Sequence, residues 1–203
     1  MTITIIDYGA GNIGSIQFAL QQCAVKTRLA SCANALENAE RLILPGVGSF
    51  KQAMHFLHQH DLVTAIKQTV LERRTPILGI CLGMQLLASE GEEGGRAEGL
   101  QLIPGYVKNL REETRSLRLP HIGWNEVSLS QPHPLFNNIP ECYDFYFVHS
   151  YHFVAEPADI LAKSFYGAEF VTAVQKENIF GVQFHPEKSG KIGRQLLQNF
   201  SRI

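Results

Sequence analysis

The sequence predicts an α/β fold: a mostly parallel central sheet covered by helices on both faces, plus an antiparallel insertion. Short apolar runs rich in β-branched residues alternate with helical patterns in the first part of the chain, which is typical of strands joined by crossover helices. Between residues 100 and 165 the runs become short and aromatic and six prolines interrupt them, which favours antiparallel strands and long loops. A chain of 203 residues without an internal repeat or a linker-like segment fits one domain, residues 1–203.

Five apolar runs are predicted to form buried strands, and three helical patterns accompany them. Ile16, Ala19 and Leu20 share one helical face, and a second pattern, from Phe56 to Val70, is expected to break at Asp61. A third helical pattern covers residues 192–200. The predicted strands span residues 3–6, 25–29, 41–44, 77–80 and 179–184.

Composition and charge exclude several classes of protein. Hydrophobic residues make up 45% of the chain, which is too many for a disordered protein, and the net charge of −1 gives no attraction to nucleic acid or to an anionic membrane. The first residues do not resemble a signal peptide, and no apolar run approaches the ~20 residues of a membrane span. The four cysteines lack metal-ligand spacing. We therefore expect a cytoplasmic protein with reduced thiols.

Two motifs suggest cofactor or metal binding but lack residues that such sites need. Gly9-Ala10-Gly11-Asn12-Ile13-Gly14 matches a dinucleotide-binding turn, yet no acid follows the next predicted strand until Glu37. A turn shaped for another purpose, such as a partner contact, is the preferred interpretation. His55, His58 and His60 have no cysteine or carboxylate besides Asp61 to complete a metal site, so a solvated helical face is expected there. No cofactor and no metal are predicted.

The segment Gly79-Ile80-Cys81-Leu82-Gly83 indicates a nucleophile. It follows a predicted buried strand and precedes helical residues, so it matches the strand–turn–helix elbow that exposes a nucleophile on a sharp turn. A helix N-terminus would also favour the thiolate form of Cys81. The alternative is a buried cysteine that only packs in an apolar turn.

A candidate base and its orienting acid lie at the end of the last predicted strand. His185 and Glu187 flank Pro186, and side chains at positions i and i+2 of an extended backbone point the same way. The Glu187 carboxylate could then accept one imidazole N–H and leave the other ring nitrogen facing a thiol. A surface segment without this role is the alternative.

A glycine-rich turn, Gly46-Val47-Gly48, follows the third predicted strand. Its backbone N–H groups, together with that of Leu82, could bind an oxyanion. A phosphate-binding loop is a weaker interpretation, because no lysine follows as it does in a P-loop. Gln85 comes four residues after Cys81 on the same helical face, where its side chain could reach a substrate.

These motifs together resemble those of the class I (triad-type) glutamine amidotransferases, which have a flavodoxin-like fold. Within that class, the chain is similar to the glutaminase subunits of imidazole glycerol phosphate synthases. The cysteine elbow and the His-Pro-Glu segment mark the broad class, and the resemblance runs nearly end to end. The narrower resemblance rests on Asp7-Tyr8-Gly9-Ala10-Gly11-Asn12, Pro120-His121-Ile122-Gly123-Trp124-Asn125 and Phe147-Val148-His149-Ser150-Tyr151.

The resemblance implies a reaction and a partner. Cys81 would attack glutamine, His185 would transfer protons and Glu187 would orient His185. Ammonia would pass to a (β/α)₈-barrel cyclase in a heterodimer, which forms imidazole glycerol phosphate and an aminoimidazole carboxamide ribotide in histidine biosynthesis. The positions implied for oxyanion and glutamine binding are Gly46, Val47, Gly48, Leu82, Gln85, His149, Ser150 and Tyr151, and those for partner docking are Asn12, Trp124, Tyr146 and Lys188.

Several alternatives stay open at this point. A cysteine hydrolase acting on peptides or γ-glutamyl chains could use the same elbow and base. Glutaminases that feed pyridoxal phosphate, anthranilate or guanylate synthesis share the triad but are not expected to combine the N-terminal loop with the Gly-Trp-Asn segment. A non-catalytic protein that keeps the fold is least favoured, because the triad is intact. Trp124 could also be an ordinary core residue.

Overall fold

A computed structural model describes residues 1–114 and 117–203 of the chain. Within these residues the strands, in chain order, are β1 (Thr2–Ile6), β2 (Lys26–Ala30), β3 (Leu42–Leu44), β4 (Ile77–Ile80), β5 (Glu90–Gly91), β6 (Ala97–Glu98), β7 (Gly105–Asn109), β8 (His121–Leu129), β9 (Cys142–His149), β10 (Tyr151–Ala155), β11 (Ile160–Phe165), β12 (Glu169–Lys176) and β13 (Ile179–Val182). The α-helices are α1 (Ile13–Gln22), α2 (Phe50–Gln59), α3 (Leu62–Lys67), α4 (Leu82–Gln85), α5 (Arg111–Thr114) and α6 (Gly190–Phe200).

The central sheet is parallel on one side and antiparallel on the other. Its nine strands in the described residues have the order β2-β1-β3-β4-β13-β12-β11-β8-β9. The first five strands in this order, β2, β1, β3, β4 and β13, run parallel to one another. The other four strands, β12, β11, β8 and β9, pair with their neighbours in antiparallel register. A smaller sheet has the order β10-β7-β5-β6. The predicted α/β class with a mostly parallel core and antiparallel additions is confirmed.

Helices cover both faces of the parallel strands, as predicted. Ile3, Ile5 and Leu78 belong to an apolar cluster that includes the buried residues of α1 and α6. Leu42 and Ile77, whose side chains point the opposite way, belong to a second cluster with the buried residues of α2 and α3. The strands between these two helical layers are buried, which accounts for their apolar runs. The strand predicted as buried at residues 25–29 is the exception: β2 lies at the edge of the sheet, and Lys26, Arg28 and Leu29 are exposed.

Two features of the sheet differ from the sequence prediction. The sequence analysis predicts no strand at residues 169–176, where the structure has β12 with five buried residues in succession. The last strand, β13, ends at Val182 rather than at residue 184, because its parallel partner β4 ends at Ile80 and the chain then turns into the elbow. The predicted antiparallel insertion is confirmed, and most of its strands extend the central sheet.

The second helical pattern is interrupted where the sequence predicts. Asp61 has a φ of 54°, a left-handed conformation that ends α2 before α3 begins. His55, His58 and His60 are exposed on and just after α2. Within residues 1–114 and 117–203, no group of three or more His, Cys, Asp or Glu side chains is arranged to hold a metal ion.

None of the helices in the described part of the chain combines the length and the apolar character needed to cross a membrane.

Candidate active site

Cys81 lies on a sharp turn between β4 and α4. Its φ of 55° and ψ of −112° form a combination that L residues rarely adopt, as in a nucleophile elbow. The flanking glycines allow this turn to pack: a Cβ on Gly83 would lie 1.8 Å from the Leu44 carbonyl oxygen, and one on Gly79 would lie 2.5 Å from the Gly83 carbonyl oxygen. The elbow predicted from the sequence is therefore present, although α4 is only four residues long.

His185 and Glu187 lie together, and His185 lines the same cavity as Cys81. The Nδ1 atom of His185 is 2.8 Å from Oε1 of Glu187, and their side chains are 3% and 1% exposed. The contact is formed differently from the prediction, because Pro186 begins a 3₁₀ turn instead of continuing an extended strand. Since an ionised carboxylate only accepts hydrogen bonds, Nδ1 carries the proton and Nε2 is directed away from Glu187.

The pKa of His185 reflects two opposing influences. Burial lowers it, but the hydrogen-bonding and charge interactions with Cys81 and Glu187 outweigh burial and raise it to about 10. This shift favours an imidazolium beside a thiolate, as in cysteine–histidine catalytic pairs. Among the described residues, no group, the Cys81 sulfur included, makes a hydrogen bond of good geometry with Nε2 of His185, so this nitrogen is free for proton transfer.

The elbow opens into a cavity of about 310 Å³, which is large enough to hold an amino acid. Most of the residues predicted for oxyanion and substrate binding lie around it. Its lining comprises Val47, Gly48, Cys81, Leu82, Gln85, Glu93, Pro120, Val148, His149, Ser150, Tyr151, His185 and Lys188.

Gly46 is the one predicted oxyanion residue that lies under the cavity instead of lining it. A Cβ at Gly46 would lie 2.8 Å from both the Leu82 Cβ and the Tyr8 hydroxyl, so only glycine allows this approach. The buried Tyr8 hydroxyl also donates a hydrogen bond of 2.9 Å to the Pro45 carbonyl. The next two residues, Val47 and Gly48, reach the cavity, and Gly48 has a φ of 96°.

Gln85 is buried and fixed on the cavity wall. Its Nε2 donates to the Tyr151 carbonyl and to Oε1 of Gln183, each at 2.9 Å. The N–H groups of Gln85 are therefore engaged within the protein, which leaves its Oε1 atom to face a ligand. The sequence analysis does not identify Gln183 as a site residue, yet its Nε2 lies 3.7 Å from the Cys81 sulfur.

His149 lines the cavity, but both of its ring nitrogens are engaged elsewhere. Nδ1 lies 2.8 Å from the Tyr151 carbonyl, and Nε2 lies 3.0 Å from Nδ1 of His121. Because a carbonyl can only accept, Nδ1 of His149 carries the proton, and His121 donates to Nε2. Burial lowers the pKa of both rings, to about 4 for His121 and about 3 for His149, so the pair is neutral at pH 7. His149 thus positions the 149–151 segment and has no free ring nitrogen for glutamine.

Three of the four predicted docking residues, Asn12, Trp124 and Tyr146, lie outside the cavity, and the fourth, Lys188, lines it. Trp124 and Tyr146 pair across β8 and β9, with ring centroids 6.0 Å apart. Trp124 is 55% exposed and is not a core residue. Lys188 lines the cavity, and its Nζ atom lies 5.7 Å from the centroid of the Tyr146 ring. Asn12 comes just before α1.

The glycine-rich turn before α1 packs on the turn that carries Gly46. A Cβ on Gly11 would lie 3.1 Å from two side-chain atoms of Pro45. The turn that contains Asn12 is therefore adjacent to the predicted oxyanion turn.

Four residues at the site are not identified by the sequence analysis: Glu93, Pro120, Val148 and Gln183. Gln183 has a usable signal, because it is a polar residue in an apolar strand two positions before His185. Glu93 has none, since it lies in a run of acidic and glycine residues typical of an exposed loop. Burial raises the pKa of Glu93, and the Phe50 N–H partly offsets this effect.

A family model for class I glutamine amidotransferases matches residues 4–202 of the chain. The match covers almost the whole sequence and includes the elbow, the His-Pro-Glu segment and the cavity. The chain therefore belongs to the class I glutamine amidotransferase family, and it is an enzyme of that class.

Within this family, the chain is similar to proteins named imidazole glycerol phosphate synthase subunit HisH. It is 45% identical to HisH 1 of Campylobacter jejuni subsp. jejuni over 99% of this chain and 100% of the relative. It is 46% identical to HisH of Moorella thermoacetica, over 99% and 94%, and 47% identical to HisH of Geobacillus sp. (strain WCH70), over 99% and 96%.

Solved structures share the fold at lower identity. PurLQS from Thermotoga maritima aligns with a TM-score of 0.75 and 17% identity, over 99% of this chain and 97% of that chain. A glutamine amidotransferase from Thermotoga maritima aligns with a TM-score of 0.65 and 17% identity, over 100% and 83%. These likenesses support the fold of a class I glutamine amidotransferase.

Proposed function

We propose that this chain is the glutaminase subunit of an imidazole glycerol phosphate synthase and that it hydrolyses glutamine to glutamate and ammonia at Cys81. The observation that carries the proposal is the Cys81–His185–Glu187 arrangement at a cavity large enough to hold an amino acid. The HisH names of relatives that match over nearly their whole length support the narrower assignment. We also infer that residues 1–203 form one glutamine amidotransferase domain.

The chemistry follows from the protonation of the triad. The Cys81 thiolate attacks the side-chain amide carbon of glutamine and forms a C–S bond. His185 gives its Nε2 proton to the amide nitrogen, the C–N bond breaks, and ammonia leaves a glutamyl thioester. Neutral His185 then takes a proton from water, the water oxygen attacks the thioester carbon, and glutamate leaves as the thiolate is restored. Glu187 stabilises the imidazolium through Nδ1.

The oxyanion formed in each step would be bound by backbone N–H groups. Leu82 is the first residue of α4, so its N–H has no partner within the helix and lies directly after the nucleophile. Val47 and Gly48 line the same cavity and can supply a second donor, while Gly46 supports the turn from below.

The amino-acid end of glutamine would be held by the opposite part of the cavity. Glu93 lines this cavity, and its carboxylate offers the charge that an α-ammonium group requires. Oε1 of Gln85 and the polar groups of Ser150 and Tyr151 supply hydrogen bonds. His149 contributes by holding Tyr151 in place.

The partner would be a (β/α)₈-barrel cyclase, and the two chains would form a cytoplasmic heterodimer. Ammonia would pass into the barrel, where it enters imidazole glycerol phosphate and an aminoimidazole carboxamide ribotide in histidine biosynthesis; the lyase step belongs to the partner. Exposed Trp124 and Ile122, at 55% and 59%, lie on one face of β8 next to Tyr146 and support this face as the docking surface.

The test separates the production of ammonia from its use. The chain is co-purified with its barrel partner as wild type and as Cys81→Ala, and product formation is measured with glutamine or with ammonium as the nitrogen source. We expect Cys81→Ala to lose glutamine-dependent synthesis by a factor on the order of 10³ or more and to keep ammonium-dependent synthesis. Cys142→Ala, at an exposed cysteine, is the matched control and should behave as wild type.

Loss of both activities in a complex that still assembles would reject the assignment of Cys81 to ammonia production alone. Retention of both would show that the nucleophile lies elsewhere.

A further inference from the structure

Gln183 lies beside the reactive sulfur, and the sequence motifs assign it no role. It directly follows β13 and is fully buried, with 0% of its surface exposed. Its Nε2 atom lies 3.7 Å from the Cys81 sulfur, within hydrogen-bond reach of sulfur. Water cannot replace this contact, because the side chain is inaccessible.

The orientation of the Gln183 amide is fixed by its other contact. Its Oε1 accepts a hydrogen bond of 2.9 Å from Nε2 of Gln85. Gln85 is fixed in turn, because the same Nε2 donates to the Tyr151 carbonyl at 2.9 Å. If the Gln183 amide were flipped, its NH₂ group would face the NH₂ group of Gln85, and its oxygen would face the Cys81 sulfur. The NH₂ group of Gln183 must therefore face Cys81.

The Cys81 sulfur therefore lies between groups that favour opposite protonation states. The Val148 carbonyl oxygen, 3.8 Å away, can only accept, so it favours the neutral thiol. Gln183 can donate from Nε2, so it favours the thiolate. In a buried site both interactions are stronger than they would be in water.

We propose that Gln183 is a catalytic residue whose side-chain N–H hydrogen bond stabilises the Cys81 thiolate against the competing Val148 carbonyl. This inference rests on the proposed role of Cys81 as the nucleophile. Gln183 complements His185: the imidazolium supplies charge and a proton, whereas the amide supplies a donor that is not consumed in the reaction. The triad is thus extended by a fourth group that contacts the reacting atom.

The test measures the thiolate directly. Full-length wild type and Gln183→Met are treated with iodoacetamide across a pH series, and alkylation of the Cys81 peptide is followed by mass spectrometry. Met keeps the length of the side chain but has no N–H donor. We expect the midpoint of the pH–rate curve to rise by roughly one pH unit, so that the alkylation rate falls about tenfold at any pH well below both midpoints, the size of one charged hydrogen bond.

Gln175→Met is the matched control, because the Gln175 amide bonds the Glu177 carbonyl, away from Cys81. Gln183→Glu is the second variant. It keeps the shape of the side chain and the acceptor for Gln85 but has a carboxylate oxygen in place of the N–H donor, so the midpoint of its pH–rate curve should rise as well. Circular dichroism identifies the variants that remain folded.

An unchanged midpoint in a folded Gln183 variant would overturn the proposal, even if thermal stability falls, because a purely structural role changes stability without shifting thiolate titration. Failure of the proposed function is distinguishable: glutamine-dependent synthesis by Cys81→Ala would disprove the nucleophile but leave the alkylation midpoint interpretable.

Discussion

Backbone strain and the neighbouring polar groups both act on Cys81. The positive φ of this residue is maintained because Gly79 and Gly83 let the turn pack tightly against β3 and α4. Around the sulfur, His185 and Gln183 favour the thiolate, and the Val148 carbonyl favours the thiol. The protonation state of the nucleophile is therefore set by several residues from different elements.

Glu187→Gln tests the orienting carboxylate. The amide oxygen can still accept from Nδ1 of His185, which is 2.8 Å from the carboxylate, but the negative charge is lost. Because that charge helps to raise the pKa of His185, the imidazolium becomes less stable. We expect kcat/KM for glutamine hydrolysis by the complex to fall, but roughly a hundredfold less than in Cys81→Ala.

Glu169→Gln is the control for this change, since Glu169 pairs with Lys163 at 3.3 Å and does not line the cavity. If Glu187→Gln hydrolyses glutamine as fast as this control, another group must orient His185.

At the scale of elements, β9 connects the exposed aromatic face with the triad. The Tyr146 carbonyl accepts from the His185 N–H at 2.9 Å, and the Tyr146 N–H donates to the Ser189 hydroxyl at 3.0 Å. That hydroxyl donates to the His185 carbonyl at 2.7 Å. Because the backbone of His185 is tied to the strand that carries Tyr146, a shift of β9 on partner docking would move His185.

Strands β8, β9 and β10 each bury a histidine that must stay neutral in the folded protein. Burial lowers the pKa of His121, His149 and His152 to about 4, 3 and 4. Between about pH 4 and pH 6.5 the unfolded chain therefore binds more protons than the folded one, so the free energy of unfolding falls as pH falls through this window. We expect the free energy of unfolding to fall by up to about 1.4 kcal/mol per pH unit for each histidine, and urea denaturation near pH 7 and near pH 5 measures this fall.

His152→Leu should remove the contribution of one histidine, so the free energy of unfolding should depend less steeply on pH. His152 is suited to the test because, among the described residues, neither ring nitrogen has a hydrogen-bond partner. His55→Gln, on the exposed side of α2, should leave the dependence unchanged. Equal unfolding free energies near pH 5 and near pH 7 in the wild type would contradict the assignment of neutral buried histidines.

At the scale of the whole molecule, the sequence predicts what depends on local pattern. The positions of the five predicted strands, the break at Asp61 and the elbow at Cys81 all follow from short segments whose composition favours one conformation, although β2 is an exposed edge strand and not a buried one. The fold class follows from their order along the chain. His185 and Glu187, two positions apart, could be recognised as a pair for the same reason.

Features that depend on long-range pairing could not be predicted. Strand β12 lies between β13 and β11 and joins the antiparallel strands to the parallel ones. No local sequence pattern indicates which strands are its neighbours. Glu93 reaches the cavity from an acidic loop. Nε2 of His149 is hydrogen-bonded to His121, which is 28 positions away in the sequence. Such contacts are decided by the packing of distant segments.

A thioester between Cys81 and the glutamyl group of glutamine is tested most directly by mass spectrometry. The intact complex is quenched in acid during turnover of glutamine, and the chain is then digested and mapped. We expect the mass of one glutamyl group on the peptide that contains Cys81, and none on that segment of Cys81→Ala. Turnover without an adduct on this peptide, or an adduct on the peptides of Cys32 or Cys142 instead, would contradict the assignment.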